Sequence, residues 1–215
     1  MTICALMLAF LLSVPSSTSV SRADAVAEAA QAQSSGCAAW TSRTRPPETI
    51  RVFRMHRRGS SVPARIDEVS FQTYVQRVMA SGAWPAYLPS ESLKVGAIAI
   101  KQYAWWYVLN HQRGYRLRGH CYDIRDGDQY YRGGVRVHSR IKAAVDATWS
   151  VSLRKSGRFF RTGWSGGGRG CGSSYDGWHL PENGTTACAR KGWGWRRILR
   201  RYLDPKLELV VPSRP

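Results

Sequence analysis

The sequence predicts an α+β fold: mixed short antiparallel strands with a long central helix, in a single domain that follows a signal peptide. Three observations carry this. Stretches of apolar residues at helical spacing are interspersed with short strand-like runs, without the regular strand–helix alternation of a parallel α/β sheet. The strand signals are short and bounded by turn residues, as in Lys155-Ser156-Gly157 between Val151–Leu153 and Arg158–Thr162. The length of 215 residues, 43% hydrophobic and 11% aromatic, is enough for one packed core and too apolar for a disordered basic tail.

The elements follow in order. Ile3–Val14 is a 12-residue apolar run followed by Pro15 and a Ser/Thr cluster, and Ala23 and Ala25 fit a small-residue cleavage site. That is signal-peptide length, shorter than the roughly 20 residues of a membrane-spanning helix. Residues 1–25 are therefore expected to be a signal peptide, 26–48 a linker rich in Ala, Gln, Ser and Pro, and 49–215 the folded domain. The protein is then expected to be secreted to the cell wall, with no transmembrane anchor after cleavage. Ile50–Phe53 and Ala64–Val69 read as two strands across the turn Gly59-Ser60-Ser61. Ser70 caps a helix reaching Ser81, with Phe71, Tyr74, Val75 and Val78 on one face. Gly82–Pro89 breaks it, and Ser90 opens the longest helix, to about Asn110, with Glu91 suited to the first-turn dipole. Residues 111–138 read as loop, Ser139 as the cap of a helix to about Trp149, and Gly163–Thr186 as a long Gly/Ser-rich loop. Trp193–Tyr202 reads as a basic helix stopped by Asp204-Pro205, and Leu207–Val211 as a last strand.

With residues 1–25 removed, four cysteines remain, an even number that suits disulfides in an exported chain. Cys171 and Cys188 flank one turn-rich loop, which favours that pair, and Cys37 with Cys121 then follows by elimination. The competing arrangement is a metal site of Cys121, Cys171 and Cys188 with His120 or His179; the lack of a CxxC pair speaks against it, and no metal is expected. No nucleotide-binding glycine loop, HExxH or EF-hand motif is present, so no cofactor is expected.

The net charge of +18 comes from 32 basic against 14 acidic residues, concentrated at Arg51–Arg65 and Lys191–Arg201. Such a chain seeks polyanions. Wall polymers, anionic lipid and nucleic acid are the candidates.

Several segments line up with one pattern. Thr73–Ser81 (TYVQRVMAS) leads into Pro89–Trp106 (PSESLKVGAIAIKQYAWW), followed by Asp126–Gly133 (DGDQYYRG), Ala143–Gly167 and Gly192–Leu203 (GWGWRRILRRYL). In this order they resemble the stage II sporulation protein D / LytB amidase-enhancer family, in its secreted actinobacterial form. The family helix reads like E-A-L-K-A-Q-A-V-A-A-R-T-Y-A, matched by Glu91–Ala104. The resemblance implies work on peptidoglycan: cleavage of glycan strands without stem peptides as a lytic transglycosylase, or stimulation of wall amidases. It implies glycan strands or anionic wall polymers as partners, with a wall hydrolase as a further candidate.

The family's catalytic acid is a Glu in a segment like A-S-E-M-P-A. Here the segment is Ala80-Ser81-Gly82-Ala83-Trp84-Pro85-Ala86, so the acid position holds Gly82 or Ala83. Glu91 and Asp128 are the substitute candidates. The family's helix arginine is Lys101, and Lys94, Gln129, Tyr131 and Ser165 match further family positions. With Trp84, these form the expected glycan-binding set. The expected function is thus a wall-glycan binding or remodelling protein lacking the family acid. The alternatives are a lytic transglycosylase using a substitute carboxylate and a basic nucleic-acid-binding protein. The export signal speaks against nucleic acid.

Overall fold

A computed structural model describes residues 37, 40–55, 63–110 and 116–211. The chain divides into two units, 1–36 and 37–215, and all described residues belong to the second. The expected signal peptide and the turn at Gly59–Ser61 lie outside the described residues.

The sequence dictates the frame most directly at the long helix, α2 (Ser90–Asn110). Proline at 89 ends the preceding turn, Glu91 supplies first-turn negative charge, and the run to Asn110 contains no proline. It is buried on nearly every side and packs against most other elements. Before it come β1 (Thr49–Arg54), β2 (Arg65–Ser70) and α1 (Phe71–Val78). The β1–β2 pair is antiparallel, with Thr49 opposite Ser70 and Arg54 opposite Arg65. Ser70 caps α1 by accepting from the Thr73 N–H at 3.2 Å.

The expected loop at 111–138 contains three two-residue strands: β3 (Arg116–Leu117), β4 (His120–Cys121) and β5 (Ile124–Arg125). β5 joins β1 in parallel, so the first sheet has the order β2-β1-β5. Arg51 holds this addition with both guanidinium arms on Asp123, at 2.7 and 3.1 Å. Next come α3 (Ser139–Thr148), β6 (Ser152–Lys155) and β7 (Arg158–Phe159), the last two forming the expected hairpin. The cap of α3 is His138, whose Nδ1 accepts from the Arg140 N–H at 3.2 Å; Ser139 is already the first helical residue.

The region expected to be one long loop holds more structure. β8 (Gly163–Ser165) pairs in parallel with β9 (His179–Pro181), and α4 (Glu182–Arg190) follows directly. The basic helix is α5 (Trp195–Leu203), and β10 (Leu207–Val210) closes the second sheet in the order β10-β6-β7. In α5, Trp195, Ile198, Leu199, Tyr202 and Leu203 are buried while Arg196, Arg197, Arg200 and Arg201 are exposed, an amphipathic split at helical period.

Two disulfides staple this unit, Cys37–Cys121 and Cys171–Cys188. The three cysteines of the competing metal arrangement, Cys121, Cys171 and Cys188, are thereby consumed. Buried polar side chains lock α2 to the second sheet: Gln102 donates to the Leu153 and Phe160 carbonyls, both at 2.9 Å, and accepts from the Leu153 N–H at 3.1 Å. Each is a buried group with a partner, the condition under which burial of polar atoms is tolerated.

Candidate functional site: an aromatic-walled cleft

The turn expected to carry the family acid is a wide π-type turn, Met79–Ala83, that continues α1. Gly82 there has φ +113, a conformation that glycine adopts without the clash of a Cβ. Ala83 is buried, and neither residue carries an ionisable group.

Trp84 follows. It was expected at a glycan surface, but it is fully buried. Its Nε1 donates to Ser92 Oγ at 3.2 Å, and its ring lies on Gly96 of α2. A Cβ at position 96 would stand 2.3 Å from Trp84 Cγ, so the missing side chain is what admits the ring. Lys101, expected in the glycan-binding set, is 1% exposed. Its Nζ donates to the Thr148 and Trp149 carbonyls at 2.7 and 2.5 Å, where α3 ends, and burial pushes its pKa down to about 7. Gln129 and Tyr131 are also fully buried. Gln129 Oε1 accepts from Tyr74 at 3.0 Å, and the Tyr131 hydroxyl accepts from Arg77 at 3.1 Å. These four residues build the wall of the fold and offer no face to a glycan.

Glu91 is engaged elsewhere. Its Oε1 accepts from Lys94 at 2.5 Å and its Oε2 from the Trp195 N–H at 2.8 Å, the first amide of α5. Partial burial raises its pKa, but the Lys94 ammonium, the Trp195 N–H and the charge of Arg196 outweigh it, and the net shift is downward. A general acid needs the opposite. Lys94 is correspondingly held as the partner of Glu91.

Asp128 and Ser165 do meet. Both line an open cleft of about 690 Å³, with Tyr103, Tyr130, Arg161, Trp164, Trp178 and His179 among its other walls. β8 supplies one side and the loop after β5 another. Tyr130 is 67% exposed and sits in the left-handed region at φ +58, an unfavourable conformation for a bulky residue that sets its ring 6.0 Å from that of Trp164. Trp164 is backed in turn by Trp84, ring to ring at 5.7 Å. Trp178 is half exposed, with the Lys155 ammonium 4.3 Å from its ring centre. Asp128 Oδ2 accepts from the Arg125 N–H at 3.0 Å. Burial first, and then the hydrogen bond to Tyr107 and the Asp128 charge, raise the pKa of Tyr103, so it presents a neutral hydroxyl.

His179, met in the sequence only as a candidate for the competing metal arrangement, has a paired acid. Its Nδ1 lies 2.5 Å from Asp176 Oδ2, while Asp176 Oδ1 accepts from the Trp178 and His179 N–H groups. Partial burial raises the Asp176 pKa, and these donors outweigh it to leave the carboxylate lowered. The imidazole rests on Gly163, where a Cβ would approach to 2.1 Å of its Cδ2. The signal was present in the spacing Asp176-x-x-His179 followed by a β-strand.

The class so defined is a disulfide-stapled α+β protein with an open, aromatic-walled polar cleft; among the described residues no helix is long and apolar enough to cross a membrane. Residues 61–154, a little under half of the chain, match the family model SpoIID, stage II sporulation protein, so this part of the chain is similar to that family. The match spans β2 through β6 and includes the wide turn, α2 and the Asp128 loop. No curated protein matches the chain.

Proposed function

We propose that this chain acts outside the cytoplasm and holds a peptidoglycan glycan strand in the cleft. The observation that carries the reading is the cleft itself. Tyr130, Trp164 and Trp178 offer apolar ring faces, and Asp128, Arg161, Ser165 and His179 offer donors and acceptors between them. Sugar rings need both, a flat apolar surface for their C–H faces and fixed polar groups for their hydroxyls. Export is supported by the two disulfides.

The exposed arginines of α5 supply a second, less selective attraction to anionic wall polymers. Arg197 lies over Trp193 at 3.8 Å from the ring centre, and none of Arg196, Arg197, Arg200 and Arg201 is ion-paired with a carboxylate among the described residues. That term is electrostatic and falls with salt.

The test is titration with glycan strands stripped of stem peptides, at low salt and at about 0.5 M, where the Debye length is well below 10 Å. Binding should saturate and persist in salt. Tyr130→Ala or Trp178→Ala should weaken it about 10-fold each, the effect of losing one aromatic anchor. Binding that vanishes in salt and ignores both substitutions would refute the cleft and leave bulk charge. Tighter binding to DNA than to glycan would favour the nucleic-acid alternative.

A further inference from the structure

A second pocket lies between the C-terminal end of α2 and the β6–β7 hairpin. It encloses about 500 Å³, and Arg43, Arg154 and Arg158 line it together with Trp106, Asn110 and Phe159. Among the described residues, no acid lines it. The aromatic cleft, by contrast, carries Asp128 beside Arg161, and the groove along α5 carries Asp204 beside its arginines.

The three guanidiniums differ from the anchored arginines of the fold. Arg51 is held by Asp123, Arg54 by Asp67 and Asp126, and Arg140 by the carbonyls of Ala86 and Leu88. No side-chain hydrogen bond or ion pair from any described residue reaches Arg43, Arg154 or Arg158. Glu208, opposite Arg154 in the β10–β6 pairing, accepts from the Gly157 N–H at 2.8 Å instead. Arg154 carries the sharper signal, because its Nε is buried and has no acceptor among the described residues. A buried donor left unmet is costly, and buried donors are normally met by protein, water or ligand. Guanidiniums stay charged at every physiological pH, so three of them around one pocket also repel until an anion enters.

The walls are fixed by the fold itself. Trp105 Nε1 donates to the Ser42 carbonyl at 3.0 Å, which holds the chain at Arg43 against α2. Arg154 and Phe159 are cross-strand partners in the hairpin, and the Phe159 ring packs edge-on to Trp105 at 4.9 Å. Asn110 donates to the Trp106 carbonyl at 2.7 Å, so this acceptor of the helix end is already answered.

The donor set selects the ligand. One guanidinium fork saturates a carboxylate, through two parallel N–H···O bonds. Three forks suit an anion with more oxygens and several directions of approach, which is a phosphate group. Trp106 and Phe159 add an apolar wall that a bare ion would not use, so an organic part carried by the phosphate can lie on the rings. We propose that the Arg43–Arg154–Arg158 pocket binds a phosphate ester, at a site separate from the cleft and independent of the glycan-strand reading.

The experiment titrates the purified protein with glycerol phosphate and with poly(glycerol phosphate), at matched phosphate concentration and at about 0.15 M chloride, where bulk charge is screened beyond roughly 8 Å. Calorimetric titration reads affinity, and melting without ligand reads the fold. Wild type should bind saturably. Arg154→Lys should weaken binding about 10-fold with the unliganded Tm little changed, since lysine keeps the charge and loses Nε and the planar fork. Arg158→Gln, at an exposed position, should weaken it about 10-fold as well, and it carries the test if Arg154→Lys melts low. Arg136→Gln removes the same charge from an exposed position outside the pocket and should leave binding unchanged. Tighter binding of the polymer per phosphate supports the site with a polymer as its ligand, and equal binding supports it with a small ester. No saturable binding of either probe, or weakening by Arg136→Gln equal to that of the pocket variants, would overturn the proposal.

Discussion

Replacing Gly96 by alanine should destabilise the protein, although alanine is the better helix former. The site is interior to α2, where exchanging Gly for Ala ordinarily gains up to about 1 kcal/mol. Here the new methyl would stand 2.3, 2.4 and 2.7 Å from three ring atoms of Trp84. Carbon atoms settle at about 3.5–4.0 Å, so the indole must retreat by roughly 1 Å. It has little room to do so, because its Nε1 is tied to Ser92 and its ring is packed against Trp164. Overpacking of this kind costs about 1–3 kcal/mol, and loosening the indole hydrogen bond about 1 kcal/mol more. Against the propensity gain, the net loss is about 2 kcal/mol, or roughly 4–8 °C in Tm for a domain of this size. Calorimetry and urea unfolding measure it. The double variant Gly96→Ala/Trp84→Leu should be less destabilised than the sum of its singles, since the methyl then fills space the indole vacated. Gly96→Ala proteins that melt higher than wild type, or strictly additive singles, would refute the seating of Trp84 on Gly96. The same substitution should weaken glycan binding, because Trp164 would lose its backing.

The buried lysine sets a pH dependence. With Lys101 near 7 in the folded state and 10.5 unfolded, the unfolded chain binds more protons between those values, so stability should rise with pH there by up to about 1.4 kcal/mol per unit. Urea midpoints from pH 7.5 to 9.5 should climb in wild type relative to Lys101→Met; parallel profiles would contradict the burial of a titrating ammonium. The Cys171–Cys188 bridge closes a sequence separation of 17 residues, worth about 3 kcal/mol in chain entropy, so Cys171→Ser/Cys188→Ser should unfold at correspondingly lower denaturant, and unchanged midpoints would argue against that pairing.

The long helix was legible because its signals are local: proline before it, an acid in its first turn and an unbroken run of helix-compatible residues. α4 was not. Its sequence, ENGTTACAR, buries Gly184, Thr185, Thr186 and Cys188, small or polar residues that leave no large-apolar period to read. The site was misjudged for a related reason. Trp84 lies in a Gly- and Pro-rich break, which reads as surface, and the glycine that receives it is twelve residues away on another element. Lys101 and Gln129 look like polar functional residues in one dimension, but their partners are carbonyls and a hydroxyl supplied by distant elements. Asp128 and Ser165 were legible because both lie in turn-like sequence that stays exposed. What joined them into one cleft, the β8–β9 pairing, rests on strands three residues long, too short to show alternation.

The carboxylate of Glu91 has a consequence for how this sequence can drift. It accepts from a backbone amide 104 residues away, so an early helix and a late one share a single terminus. A change at position 91 is felt first in the basic C-terminal helix, whose opening turn loses its acceptor, while the cleft is untouched. Descendants of this chain that abandon Glu91 should therefore carry a new side-chain acceptor at or near Gly194, where side chains such as serine or aspartate would answer the same orphan amides. Covariation between positions 91 and 194, neither of which lines the cleft, would be the trace of that shared end, and a survey for catalytic residues would misread it as chemistry.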